Sequence, residues 1–157
     1  MELLAEYREA RHGEDAARLR RVLALRGMLA VGMSQREIAS ALGISQPAVS
    51  QQLKAATDLS SVHPGMLVEA AAPVLRRLAE GAGYGRLAIF GSVARGEATE
   101  GSDIDLLVEA PMGTSSFGFI RFKQLIEQVL GRQVDLVDYG GLKSKLDDDI
   151  RREAVLL

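Results

Sequence analysis

Cysteine is absent from the 157 residues. No disulfide can form, no thiolate can hold a metal, and such a chain is compatible with a reducing cytosol. An excess of positive charge is missing as well: 19 Lys and Arg stand against 21 Asp and Glu, a formal net charge of −2. Divided at Ser60, the first part carries 8 basic and 7 acidic residues (+1) and the second 11 and 14 (−3). A nucleic-acid contact must therefore come from local geometry, not from bulk charge. Long apolar runs are lacking too. The opening MELLAEYREARHGED brings acids early and has no apolar h-region, so no signal peptide is expected. The most apolar run, RVLALRGMLAVG, is interrupted by Arg26 and is too short to span a bilayer. The expectation is a soluble, cytoplasmic protein without membrane contact.

What is present fits one ordinary domain or two small ones, with 47% apolar residues, enough for a core. Helix-favouring residues dominate from Glu2 to about Leu53. Leu3, Leu4 and Tyr7 share a face of a short first helix, His12–Gly13 reads as a break, and Leu19, Val22, Leu23 and Leu29 recur at helical spacing in a second helix over 15–31. Gly32 marks its end. Periodicity is lost in ATDLSSVHPG (56–65), then MLVEAAAPVLRRLAEGAG resumes a helix with Pro73 as a kink or second start. Beyond it RLAIF (86–90), DIDLLVEA (103–110) and QVDLVD (133–138) alternate like strands. FIRFKQLIEQVL (119–130) and Leu142–Ala154 read as helices. The predicted class is α+β: an all-α domain over 1–57, a linker over 58–63, and a small α/β domain with a mixed sheet over 64–157.

SQREIASALGISQPAVSQQLK (34–54) has the spacing of two helices crossing at a tight turn. Ser34 and Glu37 form a capping box. Ile38, Ala39 and Leu42 face a core, Gly43 suits a left-handed turn, and Ile44 plugs it. Ser45 caps the next helix, Pro47 fits its first turn, and Val49 with Leu53 forms the buried stripe. Ser45, Gln46, Pro47, Ser50, Gln51 and Lys54 are the candidate DNA-contacting positions: glutamines bond adenine edges, serines bond bases or phosphates, and Lys54 suits phosphate. The stretch resembles the helix-turn-helix regions of bacterial transcription regulators. It implies operator binding through residues 34–54 by a homodimer on a two-fold site; a hairpin that only packs or dimerises is the plainer alternative.

In FGSVARGEATEGSDIDLLVE (90–109), Asp103 and Asp105 are two apart and point to one face of a strand whose other face is apolar. Paired carboxylates repel unless a cation lies between them, and their hard oxygens suit Mg²⁺. Asp135 on the next strand can complete a three-carboxylate site for two metals; Asp138 competes for that role but alternates away. Gly91 lets a phosphate approach the backbone, the Ser92 hydroxyl can hold anionic oxygens, and Arg95 adds a positive charge.

GS, ten residues, then DID is similar to the signature of the DNA polymerase beta superfamily of nucleotidyltransferases, and the whole stretch resembles its minimal nucleotidyltransferase group over about residues 64–157. The resemblance implies an enzyme in which Asp103 and Asp105 bind two Mg²⁺ and Asp135 joins one metal and helps activate the nucleophile. Gly91 and Ser92 would grip the β- and γ-phosphates of ATP, and Arg95 would touch phosphate or support the loop. Larger members carry acceptor-binding domains. With only residues 64–157 available here, the acceptor is expected on a separate molecule or a second copy. Minimal members act with a HEPN-type toxin, which implies an antitoxin that transfers AMP to a tyrosine of that partner and represses its own operon. The alternatives are a helix-turn-helix transcription regulator with a catalytically idle or nucleotide-sensing domain, and nucleotide transfer to a small molecule such as an aminoglycoside. Asp147–Asp149 read as a solvated helix face, His12 and His63 lack ligand-spaced partners, and Tyr84 and Tyr139 read as packing residues.

Overall fold

The computed structural model describes residues 1–55, 58–143 and 147–157. It opens with α1 (Glu2–Ala30), α2 (Gln35–Leu42) and α3 (Gln46–Ala55). α1 is one unbroken helix, without the break predicted at His12–Gly13. A glycine inside a helix costs only about 1 kcal/mol relative to alanine. Nothing forces Gly13 out of helical geometry, since its surroundings are open, while His12 Nε2 reaches Glu69 on a later helix at 3.3 Å. The helix ends before Gly32, whose φ is +103°.

α1, α2 and α3 share a small core of Leu25, Ile38, Ala39 and Val49, flanked by Met28, Leu29, Met33 and Leu53. Its turns follow the local chemistry. The Ser34 hydroxyl accepts from the Glu37 N–H at 3.1 Å and starts α2. Gly43 takes the left-handed φ of +68° between the helices, and the Ser45 hydroxyl accepts from the Ala48 N–H at 3.2 Å at the head of α3. Leu42 and Ile44 depart from expectation: they are 50% and 37% exposed instead of facing the core and plugging the turn. Ile38, Ala39 and Val49 already close the contact with α1, leaving the far end of α2 in solvent.

Within residues 58–63, read as a linker, two positions are tied to the rest of the fold. Leu59 is buried in a 3-10 turn, and Arg132 Nη2 donates to the carbonyls of Leu59 (2.5 Å) and Val62 (2.7 Å). α4 (Pro64–Gly81) then runs through Pro73 as a single helix. His63 starts it: Nδ1 accepts from the Gly65 N–H at 3.0 Å, and Nε2 donates to the Ala98 carbonyl at 2.9 Å.

Four strands follow, β1 (Gly85–Phe90), β2 (Ile104–Glu109), β3 (Val134–Asp138) and β4 (Val155–Leu156), with helices α5 (Gly91–Ala94), α6 (Ser116–Leu130) and α7 (Asp148–Glu153) between them. The sheet order is β3-β2-β1-β4. β2 and β3 are parallel, joined through α6, and the other pairs are antiparallel, so the sheet is mixed and the fold α+β. The predicted closing helix is shorter than expected. Its residues 144–146 lie outside the described ones, α7 covers 148–153, and Val155–Leu156 leave the helix to pair with β1. Ile104, Leu106 and Val108 are fully buried on one face of β2 against Leu67, Leu75, Ile126 and Val129 of α4 and α6. Each such side chain contributes about 1.5–3 kcal/mol.

α1 serves both cores. Leu23 enters the sheet core and Leu25 the α2–α3 core. One residue further, Arg26 donates from Nε to the Val129 carbonyl (2.8 Å) and from Nη2 to the Gln128 carbonyl (2.6 Å), capping the end of α6. Among the described residues no helix is long and apolar enough to cross a membrane.

Candidate active site

Because Ile104, Leu106 and Val108 fill the core, the intervening positions of β2 face the other way. That places Asp105, half-buried, on the opposite face with the buried Leu107, and Asp103 just ahead of the strand and exposed. The parallel register sets Asp135 of β3 directly beside Asp105. Burial first, then the hydrogen bond and charge of Asp135 and the charge of Asp103, push the Asp105 carboxyl up to about 6, with Arg95 pulling the other way. Asp138 stands apart: its carboxylate accepts from the N–H groups of Ala110 (3.3 Å) and Gly140 (3.2 Å) and shapes the turn after β3.

β1 runs antiparallel to β2 with Phe90 opposite Asp105, which sets the next residue, Gly91, against that acid. Gly91 is buried at φ +73°, and a Cβ there would overlap the Asp105 carboxylate. The glycine is thus required twice, by its backbone conformation and by the acid pressed on its Cα. Ser92 is half-buried in α5. Arg95 closes the turn with both sides of its guanidinium engaged: Nη1 donates to Glu153 at 2.9 Å and Nε to Glu97 at 3.1 Å. Its pKa is raised by those bonds, Glu153 foremost. The sequence reading missed Glu153. Its other oxygen accepts from the Gly91 N–H at 3.0 Å, and Arg95 holds its carboxyl below the usual range. The apolar AVLL after Glu153 was the only available sign that the chain leaves its helix there and returns to the sheet.

Two adjoining carboxylates, with that of Asp105 raised, fit a hard divalent cation, which would relieve their mutual repulsion. Among the described residues no group of three or more His, Cys, Asp or Glu side chains is arranged around one metal position. Mg²⁺ does not need such a cage, since it takes one or two carboxylates and completes its shell with water and substrate phosphates. Asp105 and Asp135 meet that requirement, with Asp103 alongside.

The family of nucleotidyltransferase domains matches residues 73–157, the segment that holds this whole arrangement. The chain belongs to that family. It is therefore an enzyme, a nucleotidyltransferase. Over 80 residues it is 40% identical to the protein adenylyltransferase MntA of Thermococcus cleftensis, covering 51% of this chain and 81% of that one. Over 73 residues it is 47% identical to a Methanocaldococcus jannaschii protein assigned as a protein adenylyltransferase, covering 46% and 78%. A solved structure assigned as a minimal nucleotidyltransferase superposes with a TM-score of 0.54 at 39% identity, over 59% of this chain and 95% of its own.

Ahead of the nucleotidyltransferase segment, the candidate DNA-contacting residues gather on α3 and at its head. Ser45, Gln46, Pro47, Gln51 and Lys54 are exposed and Ser50 is half-buried. A cavity of about 540 Å³ lined by Tyr84, Thr114, Phe122 and Leu125 contains none of the three acids, so the chemistry is assigned to the carboxylate face instead.

Proposed function

We propose that this nucleotidyltransferase is a Mg²⁺-dependent protein adenylyltransferase that transfers AMP from ATP to a hydroxyl of a partner protein, a HEPN-type toxin, and so acts as its antitoxin. The observation that carries the proposal is the in-register pair Asp105–Asp135 with the Gly91 turn pressed against it, in a chain whose relatives are named protein adenylyltransferases. The acceptor oxygen attacks the α-phosphorus, the bond from that phosphorus to the bridging oxygen breaks, and pyrophosphate leaves. Asp135, exposed beside Asp105, takes the acceptor's proton. Ser92 and the turn around it orient the phosphates. Magnesium bound at the carboxylates would supply charge neutralisation for the leaving group and polarise the attacking oxygen.

Incubation with labelled ATP, Mg²⁺ and the partner is expected to label the partner. Absence of label, or label that survives Asp103→Ala with Asp105→Ala, overturns the proposal.

The exposed face of α3 supports a second activity, operator binding by a dimer through Gln46, Ser50, Gln51 and Lys54. Gel shifts on the protein's own promoter should show a salt-sensitive complex weakened by Gln46→Ala or Gln51→Ala. A competing reading, a regulator whose idle catalytic domain senses nucleotide, draws support from α1, which joins the two cores. It predicts ATP binding without turnover and a change in DNA affinity.

A further inference from the structure

The Gly91–Arg95 turn is held from behind by a residue far along the chain. Glu153 is 62 residues from Gly91 in sequence, yet one of its oxygens takes the Gly91 N–H and the other takes Arg95 Nη1. Its side chain is 24% exposed, the least of any ion-pair partner among the described residues. Two residues later the backbone is fixed to the sheet, with Val155 opposite Ile89, Leu156 opposite Ala88, and the Leu157 N–H bonded to the Leu87 carbonyl at 3.0 Å. Glu153 is therefore placed by a ladder, not by a loose tail. Two consequences bear on roles read from sequence: the Gly91 N–H is committed to Glu153, and Arg95 is committed to Glu153 and Glu97.

We propose that Glu153 is a positioning residue of the nucleotide site: its carboxylate fixes the Gly91–Arg95 turn against Asp105, with Arg95 as the strut. This rests on the reading of that face as the nucleotide site. A turn held in one place aligns the phosphates with the carboxylate pair, and a displacement of about 1 Å can cost on the order of a hundredfold in rate. Charge-assisted hydrogen bonds are the strong kind, suited to the task.

The test compares wild type with Glu153→Gln, which keeps an oxygen for Gly91 but loses the ion pair, and with Glu153→Asp, which is one methylene too short to reach both partners. MgATP binding is followed by calorimetry, and amide exchange is measured on nucleotide-free protein. Both variants should raise the Kd for MgATP about tenfold. Exchange should quicken over residues 91–97 while the amides of α4 and α6 keep their protection, a pattern that general destabilisation does not give. If Glu153→Gln does not fold, Arg95→Lys carries the same measurements, because it keeps the charge and loses the two-sided grip. Unchanged affinity, tighter binding (a carboxylate competing with phosphate), or exchange that rises evenly across the molecule overturns the positioning role. Wild type that binds no MgATP overturns the nucleotide site itself, whereas wild type that binds with an unaffected variant sinks only Glu153.

Discussion

Gly91 and Asp105 occupy adjoining space, and each constrains what the other position tolerates. Gly91→Ala places a methyl where the Asp105 carboxylate lies, on a backbone at φ +73°. The strain costs about 1–2 kcal/mol, and the displaced acid should lower nucleotidyl transfer about a hundredfold or more, measurable as kcat/KM with labelled ATP. Asp105 itself predicts a pH signature. Its carboxyl stands at about 6 in the fold against 3.8 when unperturbed, so the folded protein holds that proton more tightly. The group contributes stability below about pH 4, loses it as the pH rises to about 6, and recovers none above. In metal-free urea titrations Asp105→Asn should therefore gain on wild type across that window and stay ahead by about 1 kcal/mol at neutral pH, screening included. A constant difference across the window would contradict the raised Asp105 carboxyl.

At the scale of elements, Arg26 is the joint between α1 and α6. Removing its two hydrogen bonds to the α6 carbonyls in Arg26→Ala should cost about 2 kcal/mol, a fall in Tm of about 6 °C by calorimetry. The same elements show what local pattern reveals. β2 and β3 were legible because apolar and acidic residues alternate along them, and the placement of Asp135 beside Asp105 followed once the strands were neighbours. The break at Gly13 was misread because helix continuity there is a balance of small terms, with His12–Glu69 lying across an interface that no local window contains. β4 went unread because two residues after the predicted helix are too few to show alternation; its strand character comes from the open edge of β1. Glu153 was invisible for the same reason, since its partners are 58 and 62 residues away. Leu42 and Ile44 erred in the other direction, being apolar at positions where this three-helix core stops short of covering them.

For the whole molecule, the proposed operator contact sets an expectation about salt. A chain with net charge −2 and a recognition surface with Lys54 as its basic residue should make few phosphate contacts per subunit. Its affinity for DNA should then fall by a shallow power of salt concentration, steeper for a dimer than for a monomer, as fluorescence anisotropy between low and moderate salt would measure. A steep slope would point to basic residues outside α3. The helix that serves both cores has one more implication. The covalent connection through residues 56–63 is not what keeps the two halves together, because α1 lies against α4 and α6 on its own account through Leu23 and Arg26. Cut between Ser61 and Val62, the polypeptide should persist as a split protein whose fragments co-elute on gel filtration. Expressed as separate pieces, residues 1–61 and 62–157 should find one another by complementation.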